Sequence, residues 1–154
     1  MTAKESTLER LREQKKSTLD AQLQEQKSDW INSLEKLVHT IRDWTQGAEE
    51  EGILSVEPFQ TQITEQRLGS YTAPALHLQT PGGQVVDVLP RAMVVAGAYG
   101  RVELIYRTGG KAILIRTEQD QDTWAFANLL PGGQWTFIPL NEENFWETFD
   151  DLLG

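Results

Sequence analysis

The sequence predicts an α+β protein, in which a long N-terminal amphipathic helix and a short C-terminal helix accompany an antiparallel meander sheet of about six to eight strands. Three observations support this fold class. Residues 6–46 contain no proline or glycine, and their apolar residues recur with helical spacing. From residue 53 the apolar residues recur at every second position, in short segments separated by Gly-rich turns. Residues 141–154 return to helical spacing.

The first helix carries an apolar stripe with an eleven-residue repeat. The stripe consists of Leu8, Leu19, Trp30 and Ile41, with Leu23 and Leu34 on a second line and Leu11 and Trp44 on a third. Such a repeat has about 3.67 residues per turn, so the stripe stays on one face. Its second half is dense and is expected to dock on the body. Lys15, Gln22 and Gln26 dilute the first half, which we expect to project.

Gly47 is predicted to end this helix, because glycine is the usual residue just past a helix C-terminus. Residues 49–52 then form an exposed linker. The predicted organisation is therefore a helical arm over residues 1–46, docked through its second half, and one globular domain over residues 47–154.

The strands of this domain are predicted from two-residue alternation between turn signals. They cover residues 53–56, 59–63, 75–80, 84–89, 101–107, 111–117, 123–128 and 134–140, with a loop at 69–74. The pair Gly109-Gly110 suits a type I′ hairpin. Val102 and Leu104 alternate with Arg101 and Glu103, so one face of the sheet is expected to be solvated or used for binding.

The second helix is predicted to begin after Asn141, a favourable N-cap residue. Glu142 and Glu143 follow where the helix dipole favours negative charge, and Leu140 and Phe145 have the spacing of a hydrophobic staple.

Composition excludes several kinds of chemistry. The 154 residues include no cysteine and two histidines, which argues against thiol catalysis and structural zinc. The sequence has no Gly-x-Ser-x-Gly elbow and no phosphate-binding loop. We therefore expect no catalytic residues, no metal and no cofactor. No segment resembles a membrane span or a secretory signal, so a cytoplasmic location is expected.

The net charge of -9 is unevenly distributed. Residues 1–46 hold eight basic and eight acidic side chains, whereas residues 47–154 hold six basic and fifteen acidic ones. Nucleic acid is not an expected partner, because phosphate binding requires clustered cations.

Asp87 and Glu103, predicted on neighbouring strands, are the one candidate metal pair. The competing interpretation is that they pair with Arg101 or Arg107 on the solvated face. His77 is expected on that face, and neither it nor His39 is assigned a role. Five tryptophans are expected to form one large core, with a binding surface as the alternative.

These observations favour a non-enzymatic interaction domain that associates through its N-terminal helix, most simply as a homodimer. The residues proposed for contact with a partner are Leu8, Leu11, Leu19 and Leu23 on the helix and Tyr99 and Arg101 at a turn. One alternative is an acidic inhibitor or immunity-type protein, which Glu118, Asp120 and Asp122 would steer to a basic enzyme. Another is a metal-dependent phosphodiesterase-like enzyme using Asp87 and Glu103.

Overall fold

The computed structural model describes residues 2–93, 98–118 and 121–154. The elements follow the order α1 (Ala3–Glu50), β1 (Ser55–Glu65), β2 (Gly69–Gln79), β3 (Val85–Ala92), β4 (Arg101–Tyr106), β5 (Lys111–Arg116), β6 (Trp124–Leu129), β7 (Trp135–Pro139) and α2 (Glu142–Leu153). The strands form one open antiparallel sheet in sequential order from β1 to β7. The predicted fold class is confirmed.

Helix α1 begins at a capping box and continues past its predicted end. The Thr2 side chain accepts from the Glu5 backbone N–H, and the Glu5 side chain accepts from the Thr2 N–H. The prediction that Gly47 ends the helix is wrong. Gly47 lies in the last helical turns, and the left-handed residue is Gly52, with φ 73°. The 48 residues of α1 span roughly 72 Å at about 1.5 Å per residue.

The C-terminal part of α1 packs on the sheet. Its buried residues are Trp30, Ser33, Leu34, Leu37, Val38, Ile41 and Thr45. The Trp30 indole N–H donates to the Tyr71 hydroxyl at 3.0 Å, and its ring lies against the backbone of Gly100. A Cβ at Gly100 would lie 2.1 Å from Trp30 Cζ3, so only glycine allows this approach.

Strands β1 and β2 form one long hairpin in continuous register, from Ser55 opposite Gln79 to Glu65 opposite Gly69. The predicted loop at residues 69–74 is therefore wrong. Pro74 is tolerated because, among the described residues, β3 pairs with β2 only from Leu76 onward, so Pro74 itself has no described ladder partner on its second side.

The turn between β4 and β5 is a hairpin, but the type I′ prediction is wrong. Neither Gly109 nor Gly110 has the positive φ that a type I′ turn requires. The Gly109 N–H donates to the Tyr106 carbonyl at 3.1 Å. A Cβ at Gly109 would lie 2.5 Å from Tyr106 Cδ1, so glycine here makes room for the tyrosine ring.

Helix α2 begins as predicted and lies beside α1. The Asn141 side chain accepts from the Asn144 backbone N–H at 2.8 Å, and the Trp44 and Phe145 rings are 5.7 Å apart. Both helices pack on the same core, to which the sheet contributes Val86, Val88, Val102, Leu104, Leu114 and Phe126. Four of the five tryptophans belong to this core or pack against it; Trp135 is 49% exposed, so the single-core prediction is wrong for that residue.

Within the described ranges, no helix is long and apolar enough to cross a membrane.

Candidate functional site

The first uncovered surface lies on the N-terminal part of α1, residues 3–29, which we call the arm. Four leucines form the arm stripe: Leu8, Leu11, Leu19 and Leu23. Leu8, Leu11 and Leu19 are 37, 51 and 49% exposed, and Leu23 is half-buried. Apart from Leu23, Lys27 and Asp29, every described arm residue is exposed. The leucines proposed for contact with a partner are thus accessible.

The arm stripe continues the line along which α1 docks on its own sheet. Leu8 and Leu19 precede the fully buried Trp30 and Ile41 by steps of eleven residues, and Leu23 precedes Leu34 by the same step. A straight helix keeps such positions on one face. The arm therefore presents toward its surroundings the same side that, further along, packs on the sheet.

The second uncovered surface is the side of β3–β7 that faces away from both helices, which we call the open face. Alternation along the strands sends Val88, Leu104 and Leu114 into the core, and their neighbours to the open face. One row of cross-strand partners runs over it, formed by Leu89, Glu103, Ile113, Ala127 and Phe137. The charged side chains of the open face lie on β3, on β4 and at Lys111, the first residue of β5, whereas the rest of β5 and strands β6 and β7 contribute apolar side chains.

Three cations surround Glu103 at the centre of the charged half. Its carboxylate accepts from Arg101 and lies 3.0 Å from Arg91 Nε and 3.2 Å from Lys111 Nζ. The carboxylate is only 3% exposed. Burial alone would raise the pKa of Glu103, but the hydrogen bonds and charges of Arg101 and Lys111 outweigh it and hold the pKa below its usual range. Glu103 is therefore ionised at neutral pH, and the cluster has two surplus positive charges.

A second ion-pair cluster lies beside the first. The Asp87 carboxylate lies 2.8 Å from His77 Nδ1 and 3.3 Å from Arg107 Nε. His77 thus faces this side of the sheet, as the alternation in β2 predicts. Four of the six basic residues that follow residue 46 contact Glu103 or Asp87. In a protein of net charge -9, the open face is a local concentration of cations.

The apolar half of the open face consists of large exposed side chains at the edge of the sheet. Leu129, Trp135 and Phe137 are 59, 49 and 57% exposed. Ala125 and Ala127 lie between these residues and β5, and both are buried. Contiguous apolar surface of this kind is typical of interaction sites. The sequence signal was the alternation of Trp135 and Phe137 with polar Thr136.

The remaining residues proposed for contact with a partner differ in how accessible their side chains are. Tyr99 is 46% exposed, while the Arg101 side chain is held by Glu103. Glu118 is exposed, and Asp120 lies outside the described residues. Asp122 accepts from Lys36 Nζ at 2.9 Å, an interaction that lowers the pKa of Asp122 and ties its loop to α1. Tyr99 lies beside the strand that leads into this loop, since its backbone N–H donates to the Arg116 carbonyl at 2.9 Å, whereas Arg101 and Asp122 are already held in ion pairs.

The candidate metal pair, Asp87 and Glu103, does lie on one side of adjacent strands. Both carboxylates already accept hydrogen bonds from cationic or imidazole groups, which is the competing interpretation of the sequence. Over the described ranges, no group of three or more potential ligands is positioned to hold a metal ion.

Comparison of this chain with protein-family models, with curated proteins and with solved structures finds no match.

Proposed function

We propose that this chain is a protein-interaction domain that self-associates through its N-terminal arm. The observation that carries the proposal is the continuity of the arm stripe with the docked part of α1: the same helical face is buried from Trp30 onward and exposed before it. Most helical stability in proteins comes from packing of an apolar face, and the arm has little such packing within the described part of one copy, so association through the stripe would stabilise the arm.

The physical benefit of association is the burial of leucine side chains. Fully burying one leucine contributes roughly 1.5–3 kcal/mol relative to leaving it exposed. Four arm leucines, of which Leu11 and Leu19 are about half exposed, thus offer several kcal/mol toward dimer formation. The arm contains no comparable apolar line elsewhere, because its other faces are charged or polar.

The test replaces Leu19 and Leu23 with glutamate in the full chain. The wild-type protein is expected to have twice the 17.4 kDa monomer mass by light scattering. The double variant is expected to be monomeric with an unchanged core, because glutamate at these positions places charge in the contact.

The matched control is Gln14→Glu with Gln24→Glu, which adds two negative charges on arm positions away from the stripe. This control should remain dimeric. A dimeric Leu19→Glu/Leu23→Glu variant, or a wild-type protein that is monomeric at every concentration, would refute the proposal.

A further inference from the structure

We propose that the arm of one copy packs on the open face of a second copy. This inference rests on the proposed function and specifies the surface that receives the arm. The two uncovered apolar regions described above would then cover each other, and neither would remain exposed in the dimer.

The fold itself shows how this helical face packs on this sheet. Trp30, Leu34 and Ile41 lie against one side of the strands, and Leu8, Leu19 and Leu23 occupy the equivalent positions one or two repeats earlier. The open face offers the other side of the same sheet. A partner's arm would thus form a third layer, helix on sheet, of the same kind as the existing contact.

The dimensions of the two surfaces agree. Leu8 and Leu23 are 15 residues apart in the sequence, or about 22 Å along the helix axis. Strands β4–β6 have six residues each, and six residues extend about 20 Å. An arm lying along the strands would place its four leucines over the apolar half of the open face from end to end.

The charges beside the two apolar surfaces are complementary. One flank of the arm stripe carries four carboxylates, Glu5, Glu9, Glu13 and Asp20, and two cations, Lys16 and, nearest the body, Lys27, so this flank is net negative. The apolar half of the open face borders the cluster of Arg91, Arg101 and Lys111, with its two surplus positive charges. With the leucines over β5–β7, the acidic flank would face these cations.

Pairing of two arms with each other is a less favourable arrangement for the same residues. Lys15 lies inside the arm stripe, midway between Leu8 and Leu23, so a symmetric pair of arms centred on the stripe would bring two copies of Lys15 together. It would also leave Trp135 and Phe137 in water. On the open face, the long side chains of Arg12 and Lys15 can extend past the edge of the apolar half.

The test is Phe137→Glu in the full chain, read out by light scattering and by the dimer dissociation constant. Because Phe137 is 57% exposed in one copy, the substitution should leave the fold intact, which circular dichroism checks. The dissociation constant is expected to rise about 30-fold or more, as at interface hot spots. Ile53→Glu is the matched control: Ile53 is 54% exposed and precedes β1, the opposite edge of the sheet, so this variant should dimerise like the wild type.

Three outcomes separate the two proposals. Loss of the dimer in Phe137→Glu but not in Ile53→Glu supports the arm on the open face. A dimer that survives Phe137→Glu but is lost in Leu19→Glu/Leu23→Glu overturns this inference and leaves arm-mediated association standing. A monomeric wild type overturns both.

Discussion

The buried carboxylate of Glu103 holds together the charged half of the open face. Arg91, Arg101 and Lys111 come from three different strands and converge on its two oxygens. Each of these cations is one-third to one-half exposed, so the carboxylate holds long side chains in place that would otherwise move freely in water. The specific arrangement of charge beside the apolar half depends on this one residue.

Glu103→Gln should therefore destabilise the fold in a pH-dependent way. The folded pKa of Glu103 lies below its ordinary 4.5, so its stabilisation is fully present above that pH and is lost as the pH falls through the lowered pKa. We expect the variant to lose about 1.5–3 kcal/mol of unfolding free energy at pH 7, the range for a hydrogen bond to a charged group. Below about pH 4.5 the difference from wild type should shrink. Urea denaturation at pH 7 and at pH 3.5 measures both.

Glu57→Gln, an exposed carboxylate on β1, is the matched control and should change stability little at either pH. A Glu103→Gln deficit of equal size at both pH values would mean that the glutamate acts through packing and not through its charge.

At the residue scale, the sequence predicted which way Glu103 points but not what surrounds it. Alternation in β4 turns it away from Val102 and Leu104, and this part of the prediction is confirmed. The partners Arg91 and Lys111 depend on the register between strands and on a shift between Pro90 and Ala92, which alternation does not determine. Burial of the carboxylate follows from those partners, so it could not be predicted either.

At the scale of the elements, the error in the predicted C-terminal end of α1 leads to a direct test. Gly47 lies in a helical turn with open space beside it, since a Cβ added there would meet no atom within 4 Å. Gly47→Ala should therefore stabilise the protein by about 1 kcal/mol, the difference in helix propensity. If the helix instead ended there with a left-handed glycine, the same change would destabilise it. Urea denaturation distinguishes the two signs.

The comparison variant is Gly52→Ala. Gly52 also has open space around it but has φ 73°, where an alanine costs about 1–2 kcal/mol. We expect the unfolding free energy to rise in Gly47→Ala and to fall in Gly52→Ala. A change in the same direction in both variants would contradict the observed end of α1.

The elements that were predicted correctly share a strong local signal. Alternation between sharp turns located the strands from β3 to β7, and the Asn141 cap located α2. The errors arose where a local preference was overruled by tertiary pairing. Pro74 lies within a strand because, among the described residues, it pairs with a neighbouring strand on one side alone. Gly109 leaves room for the Tyr106 ring and does not form the type I′ turn.

At the scale of the whole molecule, the part of α1 from Trp30 onward belongs to the core, whereas the arm does not. Trp30, Leu34 and Ile41 are at most 1% exposed, and Arg116 beneath them pairs with Asp29 at 2.9 Å. A chain that begins at Ser28 should therefore fold with the near-ultraviolet circular dichroism of the full protein, and it should be monomeric.

A chain that begins at Ala48 is the informative contrast, because it lacks every buried residue of α1. It should lose cooperative unfolding, since the sheet would expose the surface that α1 covers. If the chain beginning at Ala48 folded like the full protein, α1 would not be part of the core.

The unbroken course of α1 from arm to body has a mechanical consequence. A continuous helix is a torsionally stiff shaft, in which each added residue turns everything before it by about 100° and lengthens it by about 1.5 Å. The packing of Trp30 on the core thus fixes the direction in which Leu19 and Leu8 point from the helix axis, about three and six turns away. One residue inserted near Gln26 would put the leucines out of phase with the docked face, whereas an insertion of eleven would restore their phase and change only the reach.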